Sequence, residues 1–110
     1  MNFIEEKSEN YHQVFYFYGE IDSSNSMKYK KEIISLIDNK KSNIIVFDFS
    51  NTTFIDSAGI GLILGRYNEL RSNGKNLRIR GINTQIDKIF KISGLYQILN
   101  IDIDERRVKI

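Results

Sequence analysis

Ile44-Ile45-Val46-Phe47-Asp48-Phe49 is the stretch that most limits how this chain can fold. A strand with one wet face alternates apolar and polar residues, and this run is apolar almost throughout. It therefore reads as a strand buried on both faces, the kind found in parallel sheets with helices packed over them. Parallel neighbours need a crossover, most often a helix, so the rest of the chain should alternate strands with helices.

The sequence supplies that alternation. Asn2 to Lys7 reads as a short strand, Ser8-Glu9-Asn10 as turn chemistry, and Gln13 to Tyr18 as an aromatic and β-branched strand. The short connection implies an antiparallel hairpin, with Gly19 ending its second strand. Asp22-Ser23-Ser24-Asn25-Ser26 is a loop dense in helix-capping residues. The helix after it carries Tyr29, Ile33, Leu36 and Ile37 on one side and is closed by Asp38 to Asn43. Beyond the apolar strand, Ser50-Asn51-Thr52-Thr53 is expected to be a polar loop. A helix is predicted from Ser57 to Ser72, with Gly74 as its left-handed stop. Asn76 to Arg80 alternates through Leu77 and Ile79, as a strand does. Asn83 can cap a short helix that buries Ile86, Ile89 and Phe90; Ser93-Gly94 breaks it, and Leu95 to Leu99 adds one more turn. Asn100 to Ile103 is a last short strand. The order β-β-α-β-α-β-α-β predicts an α/β fold, a mixed and mostly parallel sheet with an antiparallel N-terminal edge strand. Sites in such sheets form outside the carboxyl ends of the strands. The loops carrying Asp22 and Asp56-Ser57 should therefore be neighbours.

The segment from Phe54 to Arg66 has the most unusual chemistry. Ile60, Ile63, Leu64, Tyr67 and Leu70 recur at helical spacing. Ser57 stands just before that run, where an N-cap belongs. Gly59 and Gly61 fall in the first turn, each costing about 1 kcal/mol of helix propensity against alanine. Glycines kept at that cost imply a close approach to the backbone. Gly61 and Gly65 are four apart and strip one helical face of side chains. A helix start also favours anions, so a phosphate on Ser57 would be accommodated there.

Asp56-Ser57-Ala58-Gly59-Ile60-Gly61, followed by Leu64-Gly65-Arg66-Tyr67, resembles the phosphorylation-site segment of STAS-domain anti-sigma factor antagonists. Gly19-Glu20-Ile21-Asp22 is similar to that family's turn after the second strand. Phe90-Lys91-Ile92-Ser93-Gly94-Leu95 is similar to its late Ser-Gly-Leu signature. The resemblance implies the STAS fold and a binding module, not an enzyme, with no cofactor. It further implies that the unmodified protein binds an anti-sigma factor serine kinase and so releases a sigma factor, which it touches only indirectly. Phosphorylation by that kinase ends binding, and a type 2C serine phosphatase resets the switch. On this reading Ser57 is the phosphoacceptor, Asp56, Ala58, Gly59 and Gly61 shape its approach to the kinase, and Glu20, Asp22 and Ser23 form the adjacent partner-facing loop. The family often ends in a longer amphipathic helix, whereas the stretch Ile101 to Ile110 is short and highly charged. A rival reading is a constitutive STAS scaffold in a larger signalling assembly or beside a transporter.

Other chemistries fit poorly. Ser57 lies in Asp-Ser-Ala-Gly, not Gly-x-Ser-x-Gly, and the one histidine, His12, is expected in an early turn. No Gly-Lys-Ser/Thr occurs, and the glycine pattern 59-61-65 is a weak dinucleotide signal. Without cysteine there is neither a disulfide nor a thiolate metal site. A net charge of +2 gives no reason to expect nucleic acid as a partner. The apolar runs are far short of the ~20 residues of a membrane span. Met1 to Glu6 has no basic region followed by an apolar core, so no signal peptide is expected and the expected location is cytoplasmic. At 110 residues the chain is expected to be one domain.

Overall fold

The computed structural model describes residues 1–37 and 42–99, and the backbone of 102–103. The expectations on 38–41, 100–101 and 104–110, the charged C-terminal stretch among them, lie outside the described residues.

β1 (Phe3–Glu9) and β2 (His12–Ile21) form the antiparallel hairpin, with Phe3 opposite Tyr18 and Glu9 opposite His12. Its turn is tighter than expected. Asn10 and Tyr11 alone make it, at φ 49° and 67°, so Ser8 and Glu9 belong to β1 and His12 opens β2. Two left-handed residues give the connection whose twist matches that of the strands. Nor does Gly19 end β2. It takes φ 85°, the register shifts between Gly19 and Glu20, and the strand continues to Ile21. A Cβ at position 19 would lie 2.6 Å from the Met1 carbonyl oxygen, so glycine is what lets the strand bend there.

β3 (Ile44–Asp48) pairs in parallel with β2 on one edge and with β5 (Asn76–Arg80) on the other. Phe49, assigned to this strand from the sequence, lies one residue past its end and is fully buried. The polar loop expected over Ser50 to Thr53 is half strand. β4 (Thr52–Ile55) pairs in parallel with Gly19 to Ile21 of β2. Thr52 can be buried there because its Oγ1 donates to the Phe17 carbonyl at 2.9 Å. β6 (Asp102–Ile103) pairs in parallel with β5, giving the order β1-β2-β3-β5-β6 with β4 also on β2.

α1 (Ser26–Leu36) buries Tyr29 and Ile33. Leu36, predicted on the same stripe, is the last helical residue and stays 40% exposed, while Ile37 leaves the helix and packs against the core. α2 (Ser57–Ser72) ends as expected, with Gly74 at φ 75°. α3 (Thr84–Ser93) starts at Asn83, whose Oδ1 accepts the Ile86 N–H at 2.8 Å, and it buries Ile86 and Phe90. Gly94 breaks it at φ 74°, and α4 (Leu95–Ile98) is the predicted extra turn.

Strand alternation sends Phe15, Phe17, Ile45, Phe47, Leu77 and Ile79 to one face of the sheet, where they join the helices in the buried core. Phe17, Phe47 and Phe49 pack with ring centroids 5.1 to 6.3 Å apart. The other face of β3 is buried too, Val46 being 3% and Asp48 4% exposed. Asp48 is paired rather than stranded. Arg80 Nε donates to its Oδ2 at 2.7 Å, and Ser50 N–H donates to its Oδ1 at 2.8 Å. Arg80 Nη2 also reaches Glu9 Oε1 at 3.0 Å and the Tyr16 hydroxyl at 2.7 Å. The Tyr16 hydroxyl donates to Glu9, which with Arg80 holds that carboxyl below its usual range. Burial and the same bond push the Tyr16 phenol up to about 12. Four polar side chains from β1, β2, β3 and β5 thus close on one another.

Candidate functional site

The site is built where β2 and β4 end. Ile21 and Ile55 are the last residues of the two strands and pair with each other, so both chains leave the sheet side by side. Asp56 N–H donates to the Ile21 carbonyl at 3.1 Å and holds the exits together.

Asp56, not Ser57, caps α2. Its backbone is extended, at φ −99° and ψ −171°, and its Oδ1 accepts the Ala58 N–H at 2.8 Å and the Gly59 N–H at 3.0 Å. Both residues are good capping types. The parallel pairing of Ile55 with Ile21 decides between them, because it keeps the chain extended through position 56 and starts the helix one residue later. Ser57 is the first helical residue and is exposed, so its hydroxyl is not engaged in capping. The other oxygen of Asp56 looks across to the neighbouring loop, where Oδ2 accepts the Ser23 N–H at 3.2 Å. One carboxylate therefore starts the helix and ties the 22–24 loop to it.

The loop after β2 has its own internal order. Asp22 Oδ1 accepts the Ser24 N–H at 3.0 Å and the Ser24 hydroxyl at 2.5 Å, while the Asp22 carbonyl accepts the Ser26 N–H at 2.9 Å. Asn25, a residue the sequence offered only as one capping type among several, is 8% exposed and acts as the loop's clamp. Its Nδ2 donates to the Glu20 carbonyl at 2.9 Å, and its Oδ1 accepts the Asp22 N–H at 3.0 Å. It stands at the start of α1 without a side-chain bond to that helix. The Asx pattern around Asp22 and Asn25 was the available signal for this loop. Glu20 and Ser23 are exposed and Asp22 is half-buried. The structure thus brings Glu20, Asp22 and Ser23 to the same end of the fold as Asp56, Ser57 and Ala58.

The two glycines of the first turn separate. A Cβ on Gly59 would lie 2.6 Å from Ile55 Cγ2 and 2.7 Å from the Ile21 carbonyl oxygen. The close approach implied by Gly59 is made by the protein's own strand ends. That contact turns α2 so that Gly59, Leu62, Ile63, Arg66, Tyr67 and Leu70 face inward, leaving Ile60 and Leu64 half-buried at the edge of the stripe predicted around them. Gly61 and Gly65 lie on the outside, and a Cβ on either would meet nothing within 4 Å. They make a bare strip of exposed backbone beginning one turn from Ser57.

Among the described residues no group of three or more His, Cys, Asp or Glu side chains is placed to hold a metal ion. No helix among them is long and apolar enough to cross a membrane.

Comparison with known proteins agrees with this architecture. The chain is 30% identical over 83 residues to the anti-sigma F factor antagonist of Paenibacillus polymyxa, covering 76% of this chain and 71% of that protein. It is 29% identical, also over 83 residues, to the anti-sigma-B factor antagonist of Listeria monocytogenes, covering 76% of this chain and 72% of that protein. Among solved structures it resembles the anti-sigma factor antagonist SpoIIAA in its unphosphorylated form, with a TM-score of 0.68 and 21% identity over 94% of this chain and 87% of that one. The Bacillus SpoIIAA solved in the phosphorylated form gives 0.65 and 24% over 96% and 95%. At these identities the two structures speak for the fold alone. The STAS domain family matches residues 4–107, nearly the whole chain. This chain belongs to the STAS domain family, and its relatives include anti-sigma factor antagonists.

Proposed function

We propose that this protein is an anti-sigma factor antagonist switched by phosphorylation of Ser57. Unmodified, it binds an anti-sigma factor serine kinase and so frees a sigma factor. The kinase then phosphorylates Ser57, the complex dissociates, and a type 2C serine phosphatase restores the binding form. The observation that carries this reading is the placement of an exposed serine at the first helical position of α2, tied through Asp56 to the loop of Asp22 and Ser23. The names of the relatives support it.

The electrostatics suit a switch that spares the fold. A phosphate on Ser57 adds about −1.5 to −2 charge at pH 7. Within the free protein it would stand at the positive end of α2, which favours an anion by about 0.3 to 1 kcal/mol. Against a partner it would stand beside the carboxylates of Asp56 and Asp22 on a surface that must shed water, where added negative charge is repulsive. Binding is then lost without unfolding. Glu20, Asp22, Ser23, Asp56 and Ala58 rim the contact surface and Gly61 offers it bare backbone. Gly59 acts indirectly, by setting how α2 sits.

The test pairs the protein with the anti-sigma kinase of the same genome. After incubation with ATP, mass spectrometry should find the phosphate on Ser57. By calorimetry Ser57→Asp should bind the kinase weakly or not at all, and Ser57→Ala should bind but resist modification, both with unchanged circular dichroism. Modification at Ser23, Ser24 or Thr53 with Ser57 untouched would refute the assignment. Tight binding by Ser57→Asp would favour a constitutive scaffold instead.

A further inference from the structure

The far half of α2 holds an arginine that the reading above does not use. Arg66 is 6% exposed, and its Nε has no hydrogen-bond partner. Among the described residues it forms no ion pair either. A buried cation without an ion-pair partner among the described residues is a costly arrangement, and one that a bound anion relieves. Arg66 lies on the wall of a cleft of about 400 Å³ between α1 and α2, a size at which small-molecule sites are found. Arg66 follows Ser57 by nine residues, which is about 13 Å along the helix, so the cleft is a separate place from the phosphoacceptor end.

The rest of the lining is sorted by chemistry. Lys30 from α1 and Lys75, just before β5, bring two more cations, against one carboxylate, Glu69. Lys75 is itself 6% exposed, and its Nζ donates to the Ser42 carbonyl, which among the described residues uses one of its three donors. Among the described residues of the lining, three cations less one carboxylate leave an excess of two positive charges. Ile34, Ile37 and Leu70 line the same cleft and are apolar. An arginine fork matches the oxygens of phosphate in two parallel bonds. A dianion balances the excess charge, where a monocarboxylate would leave part of it uncompensated.

We propose that this cleft binds a small phosphate monoester, its phosphate on Arg66 between Lys30 and Lys75, and its organic part against Ile34, Ile37 and Leu70. Binding requires no chemistry on Ser57 and stands whether or not the switch operates.

The experiment uses the full chain labelled with ¹⁵N and follows the arginine Nε–H resonances by NMR. Inorganic phosphate, phenyl phosphate and benzoate are titrated at constant ionic strength. Phenyl phosphate should move the Arg66 Nε–H signal to saturation, with an affinity about tenfold above that of inorganic phosphate and of benzoate. Lys30→Gln changes an exposed side chain and should leave the fold intact while weakening phenyl phosphate about tenfold; Arg66→Met, followed through the backbone amides of Ile34, Ile37 and Leu70 because it lacks the side-chain signal, should abolish saturation. Should Arg66→Met fail to fold, Lys30→Gln and the comparison among ligands still decide. A shift that never saturates, or one unchanged by Lys30→Gln, would overturn the site. Benzoate binding as tightly as phenyl phosphate would overturn the assignment of a dianion.

Discussion

Asp56 carries two jobs on two oxygens, and two substitutions separate them. Asp56→Ala removes the acceptor for Ala58 and Gly59 at the start of α2 and the acceptor for Ser23 across the loop. Loss of a helix N-cap costs about 1 kcal/mol. The Ser23 bond is long, at 3.2 Å, and exposed, so we assign it the low end of the usual range, about 0.5 kcal/mol. The sum is about 1.5 kcal/mol, which for a chain of this size lowers Tm by about 6 °C. Asp56→Asn behaves differently. Asparagine caps as well as aspartate, so the bonds to Ala58 and Gly59 persist. Its NH₂ group, however, faces the Ser23 N–H donor with another donor. The loss should be about 0.5 kcal/mol, or about 2 °C. Scanning calorimetry measures both shifts. Amide hydrogen exchange assigns them: in Asp56→Asn the Ser23 amide should exchange faster while those of Ala58 and Gly59 keep their rates. An alanine variant melting within about 1 °C of the parent would refute the capping role. An asparagine variant as damaged as alanine would refute the division of labour between the two oxygens.

Three further outcomes follow from the same geometry. Gly59→Ala should destabilise by about 1 to 3 kcal/mol in denaturant titration, because its methyl would sit 2.7 Å from a backbone carbonyl; a neutral result would mean that the strand ends yield freely. Gly61→Ala should hold or raise the melting temperature, by up to about 1 kcal/mol of helix propensity, while weakening the anti-sigma kinase; unchanged affinity would remove position 61 from the interface. Glu9 has its carboxyl held low by Tyr16 and Arg80, so its stabilisation is present above its ordinary value of 4.5 and is lost as pH falls below it. Glu9→Gln should therefore lower stability at neutral pH and flatten the acid limb of the stability profile, and an acid limb as steep as the parent's would place that dependence elsewhere.

The parts of this fold that could be read from the chain are those where one local cause acts alone. The apolar run of β3 has no reading but a doubly covered strand, and Asn83 and Gly74 punctuate their helices without competitors. The misreadings arise where a distant partner decides. Ser50 to Thr53 looks like a loop because its side chains are polar, and only the Phe17 carbonyl, 35 residues away from Thr52, turns Thr52 inward to make β4. Asp56 and Ser57 are equally good caps in isolation, and pairing with β2 chooses between them. The two first-turn glycines are indistinguishable as letters, yet Ile21 and Ile55 press on one and nothing presses on the other. The candidate site itself was legible as a neighbourhood, because the ends of successive parallel strands must lie together. The bridging carboxylate and the Asn25 clamp were not, since both depend on how the two loops lie against each other.

The two-residue turn at Asn10 and Tyr11 bears on the time order of folding. Hairpins close in about 1 to 10 μs, while pairings between strands far apart in sequence wait on the closure of long loops. Val14 meets Val46 and Phe15 meets Phe47 across such a gap, and β4 joins the same strand later in the chain. A hairpin made early hands the later segments an ordered edge to which both β3 and β4 can add, so β2 would serve as the template for assembly. Tyr11 sits at φ 67°, a position that glycine takes at lower cost. Tyr11→Gly should then accelerate folding in stopped-flow experiments and leave the unfolding rate nearly unchanged. A gain confined to slower unfolding would mean that the hairpin closes after the helices have already docked.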